Sequence, residues 1–322
     1  MNILIIGLGV IGTTYGYLFQ KAGFHVEHYI RNTSWKRELK EVGVQLLDGR
    51  AAAKGMAVED HYRVNLATGK EYDFIFVAVP SGKIAAVLDD LKEAGISGTI
   101  LFGCGVWEER HSIDKVSEGF RYILGYPVAG GNFVDQTLHC CVFDHFMLES
   151  RERAGISNYD DLEKLFAACH IKLEKPYDML EWIWLHMAIN AGVVSVAGRY
   201  GDINDASASA ENLMDSTRQL SEAVQSIRET ARIVKSRGVP LQRYSNELLA
   251  YRLPTFISAP VMKRMFSQNV LTRTIMTLHG NLDDLLFVCK SVYTEGKRNG
   301  VCAPIFYKNY EEVVKRSGGL SD

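Results

Sequence analysis

The chain has 322 residues, which is long for a single domain and predicts two. Hydrophobic residues make up 47% and charged residues 23%, and the formal net charge is −2. This ordinary globular balance has neither the basic excess of a nucleic-acid-binding protein nor an acidic tail. The six cysteines form no CxxC pair, which predicts free thiols in the reducing cytoplasm.

The N-terminal stretch predicts the start of a βαβ unit. The apolar run "NILIIG" (Asn2–Gly7) predicts a strand, "VIGTTYGYLFQKAG" predicts a helix that ends at Gly23, and Phe24–Ile30 predicts a second strand. Because the stretch lacks a basic beginning and is interrupted by glycines, we interpret it as a strand and a turn rather than a signal peptide.

Strands and helices continue to alternate over the first half of the chain. Strands are predicted at Phe74–Val79, which Pro80 stops, and at Thr99–Gly103, with the helix "GKIAAVLDDLKEAG" between them. The segments "FRYILGYPVAGG" and "HCCVFDHFMLE" predict later strands. Continuous apolar strands separated by helices indicate a buried parallel sheet, so we predict an α/β fold with a Rossmann-type, doubly wound parallel sheet.

The second half is predicted to be all-helical from about Pro176 onward. Long helices are predicted at Ala206–Arg237 and Leu271–Asn299, each followed by a glycine and then a proline. The apolar segment Trp182–Ala197 is shorter than a usual membrane span, which predicts a buried core helix. We therefore predict two domains, 1–174 and 175–322, joined near residues 172–178.

A glycine motif follows the first strand directly and opens the first helix. It reads Gly7-Leu8-Gly9-Val10-Ile11-Gly12. In this context GxGxxG predicts a dinucleotide site, because the glycines let the backbone approach a pyrophosphate and the helix N-terminus offers N–H groups to it. The alternative is a tight turn with no ligand.

The residues after the second strand select the dinucleotide. Arg31 and Asn32 stand where an NAD enzyme usually carries Asp or Glu, and Lys36 and Arg37 follow shortly after. Glu27 lies inside the strand, too early to contact a ribose. A guanidinium can pair with a 2′-phosphate, so NADP(H) is favoured over NAD. The alternative is that Arg31 only stacks on the adenine.

Residues that follow the later strands are also predicted to line the cofactor. Ligands of an open parallel sheet bind at the carboxyl ends of its strands. Val79, Pro80 and Cys104 occupy those positions after the third and fourth predicted strands.

With these motifs in place, the chain resembles the ketopantoate reductase family (2-dehydropantoate 2-reductases), within the wider group of 6-phosphogluconate dehydrogenase-like folds. The features that carry the resemblance are "GLGVIG", Arg31, "TILFGCG", "HMAIN", "GRYGDI" and "GKRNGVCAP". The resemblance extends over nearly the whole chain. It implies a Rossmann domain, a helical C-terminal domain, NADPH, and reduction of a 2-oxo acid in the cleft between them.

The resemblance also implies a catalytic helix face, on which this chain departs from the family. His186 occupies the position of the family's proton-donating lysine, Asn190 retains the first asparagine of that face, and Val194 replaces the second. Histidine has an unperturbed pKa near 6.5 and can serve as a general acid. Asn190, one turn away, can bind the substrate or orient His186. The alternative is a core histidine that bonds a neighbouring polar group.

Other family positions are altered as well. Cys104 stands where the family has an asparagine, and Pro80 where it usually has a lysine. The family's late substrate-contacting glutamate falls near Asp283 or Asp284, and its nearby serine falls around Thr272.

Two further candidates come from residue chemistry alone. Arg273 is able to bind a substrate carboxylate, the alternative being a surface ion pair. No His, Cys and Glu grouping has the spacing of a metal site.

The sequence therefore predicts an NADP(H)-dependent oxidoreductase that reduces a small carbonyl compound of the 2-oxo acid class. His186, Asn190 and Asp284 are the candidate catalytic residues, and Asn190, Thr272, Arg273 and Asp283 are candidates for substrate binding. A homodimer through the helical domain is expected, with no nucleic-acid or membrane partner. Two alternatives are a non-catalytic NADP(H)-binding sensor with a decayed site and an opine-type imine reductase.

Overall fold

The computed structural model describes residues 1–31, 34–278 and 282–317, apart from the side chains of Trp35, Leu282 and Asp283. The chain divides into two compact units, Met1–Leu180 and Glu181–Asp322. The first unit contains every described strand, and the second is helical.

One mixed sheet organises the first unit, in the order β2-β1-β5-β6-β7-β8-β3-β4, with β9 paired to β8. Its strands are β1 (Asn2–Ile6), β2 (His25–Tyr29), β3 (Glu41–Asp48), β4 (Met56–Arg63), β5 (Glu71–Val77), β6 (Ser97–Gly103), β7 (Tyr122–Val134), β8 (Thr137–Leu148) and β9 (Lys172–Glu174). The strands from β2 to β7 in this order pair in parallel, which confirms the predicted parallel core.

The sheet continues beyond that core with antiparallel pairs. β7 and β8 pair antiparallel across a turn in which Asp135 has a positive φ of 54°. β3 and β4 form a second antiparallel pair, and the sequence analysis missed both strands. In β3 the sequence did carry a signal, since the apolar residues Val42, Val44 and Leu46 alternate with Gly43 and Gln45 and are buried.

Within the described residues, five α-helices lie entirely in the first unit. They are α1 (Val10–Lys21), α2 (Ile84–Ala94), α3 (Arg110–Val116), α4 (Arg151–Ala154) and α5 (Tyr159–Ala168). Helix α1 is the central one, because all residues from Gly12 to Phe19 are buried. Tyr15, for example, packs its ring within 5.4 Å of Phe76 and 5.5 Å of Phe146, measured between centroids.

The sheet curls so that the segment after β4 returns to β2. The N–H of His28 donates to the Asn65 carbonyl at 2.7 Å, and the N–H of Ala67 donates to the His28 carbonyl at 2.9 Å. These bonds satisfy backbone groups on the outer edge of β2, which would otherwise form an exposed sheet edge.

The second unit is built from α6 (Met179–Tyr200), which begins two residues before the unit boundary, α7 (Ala206–Asp215), α8 (Thr217–Ser236), α9 (Ser245–Arg252), α10 (Thr255–Gln268), α11 (Val270–Leu278), α12 (Leu282–Arg298) and α13 (Pro304–Arg316). A single helix over Ala206–Arg237 was predicted, and this is wrong at Ser216. Ser216 is extended, with φ −108° and ψ 106°, and its Oγ accepts from the Gln219 N–H at 3.2 Å, so it starts a new helix. The predicted helix Leu271–Asn299 corresponds to α11 and α12, on either side of residues 279–281, which lie outside the described part.

Helix α6 was predicted to be a core helix rather than a membrane span. Among the described residues, it is the one helix long and apolar enough to cross a membrane, with a mean hydropathy of 1.3. Because 67% of that apolar window is buried inside the protein, α6 matches the pattern of a buried core helix.

Candidate functional site

The glycine turn lies at the carboxyl end of β1, in the middle of the parallel strands. Gly7 has φ +78°, in the left-handed region that favours glycine, and its N–H donates to the Tyr29 carbonyl at 2.8 Å. Helix α1 then begins at Val10, with Gly9 at the N-cap position and no side-chain cap. The predicted strand, glycine turn and helix are therefore all present.

The start of α1 offers unpaired donors. Thr13 makes the first helical hydrogen bond, to the Gly9 carbonyl at 2.9 Å. Within the described part of the chain, the N–H groups of Val10, Ile11 and Gly12 have no acceptor. A β-carbon on Gly9 would meet nothing within 4 Å, so space remains beside these donors. Free N–H groups, open space and the positive end of a helix fit a pyrophosphate.

Close packing explains two further glycines of α1. A β-carbon on Gly12 would lie 2.9 Å from Cγ2 of Ile5, and one on Gly16 would lie 2.6 Å from the hydroxyl of Tyr62. The third glycine of the motif thus lets α1 pack directly against β1, as the fingerprint requires.

A buried histidine holds the glycine turn in place. Nδ1 of His28 lies 2.7 Å from the Gly7 carbonyl oxygen, and Nε2 lies 2.7 Å from the Tyr62 hydroxyl. His28 and Tyr62 are both 0% exposed. Burial lowers the pKa of His28 to about 4. The neutral ring therefore donates from Nδ1 to Gly7 and accepts at Nε2 from Tyr62. This pair was not predicted, although the histidine inside an apolar strand indicates a buried polar contact.

Two basic side chains contact the backbone near the turn. Nζ of Lys36 donates to the Leu8 carbonyl at 3.0 Å and lies 4.3 Å from the ring centroid of Phe133. Burial lowers the pKa of Lys36. Arg37 donates to the Ile30 carbonyl at 2.7 Å. These contacts place one ammonium group directly against the glycine turn.

Arg31 forms an ion pair that the sequence did not reveal. Its Nε lies 3.0 Å from Oδ2 of Asp90 on α2. The Arg31 side chain is 62% exposed, so the guanidinium stays accessible while Asp90 fixes one edge of it. Asn32, the neighbouring predicted residue, lies outside the described residues.

Glu27 is fully engaged within the first unit. The Tyr72 hydroxyl donates to its Oε2 at 2.5 Å, and Thr68 donates to both oxygens, at 2.7 and 3.0 Å. Burial alone would raise the pKa of Glu27, but these hydrogen bonds lower it to about 2. Glu27 therefore serves the fold.

The later strand ends lie at the same edge as the glycine turn. β1, β5 and β6 run parallel and in register, so the residues after Val77 and Gly103 emerge beside the turn. Val79 is half-buried, Pro80 is exposed and Cys104 is buried. Val79, Pro80 and Cys104 therefore follow strands that end at the same edge of the sheet as the glycine turn.

The candidate catalytic face lies on α6. His186 and Asn190 are half-buried one turn apart, and Val194 continues the same partly accessible face. The His186 ring stacks on Trp182, with centroids 4.9 Å apart and planes 12° from parallel. Trp182 in turn donates from Nε1 to Glu247 at 3.2 Å. The stack fixes the plane of the imidazole, and the His186 side chain remains half-buried.

The remaining candidates lie on other helices of the second unit. Nη1 and Nη2 of Arg273 lie 3.0 and 2.8 Å from the two carboxylate oxygens of Asp215. Thr272 donates its N–H to Oδ1 of Asn269 at 3.0 Å and belongs to the start of α11. Asp284 is half-buried on α12, and the side chain of Asp283 lies outside the described part. Arg273 therefore forms a surface ion pair, which was the alternative to substrate binding in the sequence analysis.

No group of three metal-binding side chains forms within the described ranges. None of the six cysteines is in a disulfide bond; five are buried and Cys302 is exposed. Burial raises the pKa of the Cys140, Cys141, Cys169 and Cys289 thiols to about 12, which keeps them protonated and unreactive.

Comparison with known proteins agrees with this geometry. Residues 3–103 match the family model of ketopantoate reductase PanE/ApbA. Among solved structures, a dimeric ketopantoate reductase from Staphylococcus aureus is 12% identical, with 99% of each chain covered and a TM-score of 0.64. A D-mandelate dehydrogenase in complex with NADH is 15% identical, with 100% of each chain covered and a TM-score of 0.66. A 2-dehydropantoate 2-reductase from Geobacter metallireducens is 13% identical, covering 98% of this chain and 100% of its own, at a TM-score of 0.66.

No curated protein matches the chain by sequence. At these identities the solved structures establish the fold, and the matched family model covers the part of the first unit that contains the glycine turn. The predicted resemblance is confirmed: the N-terminal part of this chain matches the ketopantoate reductase family, and the chain has the fold of a ketopantoate reductase.

Proposed function

We propose that the protein is an NADP(H)-dependent oxidoreductase that reduces a small carbonyl compound of the 2-oxo acid class. The observation that carries the proposal is the glycine turn of the first unit, with three free N–H groups at the start of α1. The half-buried pair His186 and Asn190 supplies the polar groups that such a reaction needs. In this proposal, residues 1–174 bind the dinucleotide and residues 175–322 bind the substrate and form a dimer.

Each residue has a role that its environment permits. Bound NADPH would supply the hydride that reduces the carbonyl carbon. The N–H groups of Val10, Ile11 and Gly12 would hold the pyrophosphate. As the carbonyl oxygen gains negative charge, the His186 imidazolium would donate a proton from a ring nitrogen to it. Asn190 would hydrogen-bond the substrate and limit its orientation.

The choice of NADP(H) over NAD rests on the charges beside the turn. Arg31 is accessible at the end of β2, and Lys36 lies against the Leu8 carbonyl. Glu27, the nearest acidic residue of β2, is occupied by Thr68 and Tyr72. A 2′-phosphate would therefore meet guanidinium and ammonium groups at this edge.

The proposal is tested by following NADPH oxidation against a panel of 2-oxo acids, aldehydes and imines. We expect turnover of at least one 2-oxo acid, and faster oxidation of NADPH than of NADH. Turnover of imines alone would assign the opine-type reaction instead. Tight NADPH binding with no turnover of any compound would favour the non-catalytic sensor.

A homodimer through the second unit belongs to the same proposal. Helix α10 buries Ser258, Ala259, Met262 and Phe266 and yet exposes a second apolar face. The exposed apolar residues of α10 and of the end of α9 form a stripe: Leu249, Leu253, Phe256, Ile257, Val261 and Met265. Monomers rarely expose so long an apolar patch, and one structural neighbour is described as dimeric. A second copy that lays its own stripe against this one would cover both.

Light scattering after size-exclusion chromatography tests the dimer. Wild type is expected at twice the chain mass, and Val261→Glu at the mass of one chain, because a carboxylate cannot be buried there unpaired. Lys263→Glu, two residues away and also exposed, is the control and should remain dimeric. A monomeric wild type at micromolar concentration would contradict the interface.

The proposal also places the protein in the cytoplasm. None of the six cysteines forms a disulfide bond, including the exposed Cys302, and thiols persist in reducing compartments. Titration of the native protein with a thiol reagent tests the one exposed cysteine, which we expect to react alone.

A further inference from the structure

The first unit contains a cavity that none of the proposed chemistry uses. Its volume is about 450 Å³, within the range of small-molecule sites. It lies where α3, the start of β7 and α4 come together. Its charged and hydroxyl-bearing lining residues are Arg110, Asp114, Arg121, Tyr122, Glu149 and Arg153.

A buried ion pair forms the floor of the cavity. Glu149 is 1% exposed, and Arg110 donates from Nη2 to its Oε1. Oε2 of Glu149 accepts the Leu124 N–H at 3.1 Å. Both carboxylate oxygens are therefore satisfied from within the protein, and the pair holds Arg110 at the cavity wall.

The other two arginines differ in how they are paired. Nη1 of Arg121 reaches the Ser157 hydroxyl at 3.4 Å, and among the described residues no carboxylate lies within ion-pair distance of Arg121. Arg153 pairs with Asp178 at 2.5 Å and is 41% exposed. Three guanidinium groups from three separate segments thus line one cavity.

Three carboxylates lie beside these arginines. Glu149 is neutralised by Arg110, and Asp114 accepts a hydrogen bond from the Tyr122 hydroxyl. Burial, together with that bond, raises the pKa of Tyr122 to about 12, so its hydroxyl remains a donor. With Asp178, which pairs with Arg153, three carboxylates balance the three guanidinium groups, and Arg121 is the arginine of the three that has no carboxylate partner among the described residues.

The cavity is distinct from the glycine turn. Arg121 and Tyr122 mark the start of β7, whereas the turn follows the carboxyl end of β1. The neighbouring strands β1, β5, β6 and β7 run parallel, so their starts lie at one edge of the sheet and their ends at the opposite edge. The dinucleotide proposed above would therefore leave this cavity free.

We propose that this cavity binds a phosphate group, either free or as a phosphate monoester. Arginine matches phosphate through paired N–H donors. Donors from three directions suit a tetrahedral group, whereas a planar carboxylate is satisfied by a single fork. Arg121 and Arg153 bind the group, and Arg110, fixed by Glu149, supplies the third direction.

Isothermal titration with inorganic phosphate, glycerol phosphate and succinate, in a phosphate-free buffer, tests the site. The variants are Arg121→Gln and Arg153→Gln, with Arg264→Gln, an exposed arginine of α10, as the matched control. Arg110 is left intact, because its loss would leave Glu149 buried and unpaired. Gly7→Ala is included to detect phosphate bound at the glycine turn instead.

We expect both phosphate probes to bind and each cavity variant to lower their affinity about tenfold. Arg264→Gln and Gly7→Ala should leave the affinity for both phosphate probes unchanged. Glycerol phosphate tighter than inorganic phosphate identifies a monoester, and the reverse order identifies the free ion. Absence of phosphate binding, loss of binding in Gly7→Ala but not in the cavity variants, or preference for succinate would overturn the proposal. None of these outcomes depends on NADPH oxidation.

Discussion

The glycine edge of the first unit offers backbone groups to a ligand, whereas the α6 face of the second unit offers side-chain groups. At the glycine edge, backbone N–H groups form the candidate site, and buried side chains such as His28 only hold that backbone. On α6, the candidate groups are two side chains, His186 and Asn190. A site made of backbone tolerates change in most side chains, whereas a side-chain site changes chemistry with one substitution. The family match covers residues 3–103, which include the glycine edge, and α6 lies outside the matched residues.

The largest effect is expected on α6. His186→Ala should lower turnover by about 100-fold or more, because general acid catalysis contributes about 10²–10⁴-fold. Affinity for NADPH should stay unchanged, since His186 lies in the second unit. Steady-state kinetics and a fluorescence titration measure the two quantities, with His61→Ala, an exposed histidine of β4, as control. Full activity in His186→Ala would remove His186 from the chemistry.

The glycine edge should instead respond to acid through His28. The pKa of His28 is lowered by burial from 6.5 to about 4. The unfolded chain therefore takes up this proton first as the pH falls. The folded state should lose about 3 kcal/mol of unfolding free energy between pH 6.5 and 4.

Urea denaturation of wild type and His28→Gln at several pH values measures this loss. The variant should lack the part of the pH dependence that lies between 6.5 and 4. His111→Gln, at an exposed position, should retain the wild-type dependence. Identical pH profiles for wild type and His28→Gln would show that His28 does not titrate in this way.

A matched pair of glycine substitutions separates backbone strain from ligand binding. Gly7 and Gly95 both have positive φ, +78° and +64°, and both have open space for a β-carbon. Alanine at either position should cost about 1–2 kcal/mol of stability. Gly7→Ala alone should also weaken NADPH binding by about tenfold, because a displaced turn loses a charged hydrogen bond to phosphate. Equal NADPH affinity in the two variants would place the dinucleotide elsewhere.

The smallest effects concern the choice of dinucleotide. Arg31→Ala should weaken NADPH by about fivefold and leave NADH nearly unchanged, since the side chain is exposed and solvent screens its charge. Asp90→Asn should strengthen NADPH by about twofold, because it frees the guanidinium from its ion pair. Titration with both dinucleotides measures the ratio. Equal weakening of NADPH and NADH in Arg31→Ala would sink the 2′-phosphate assignment.

The sequence was most informative where one local pattern determines the backbone. The strand, glycine turn and helix from Asn2 to Gly12 were predicted correctly, because the glycine positions and the apolar run act over a few residues. The break at Ser216 was not predicted, because serine is also tolerated inside helices. Whether it caps a helix depends on whether its own backbone is extended, which the sequence does not show. The contacts of Arg31 with Asp90 and of His28 with Tyr62 join residues 59 and 34 positions apart. Such pairings depend on how the sheet curls, which no local pattern shows.

The central claim is hydride transfer from NADPH to a carbonyl carbon. The most direct test incubates the protein with NADPH that carries deuterium at the transferable C4 position and a 2-oxo acid of the panel, followed by mass spectrometry of the product. We expect wild type to form a 2-hydroxy acid that is heavier by one deuterium, and His186→Ala to form none over the same period. Product without deuterium, or no reduced product from any carbonyl compound while NADPH is bound, would contradict it.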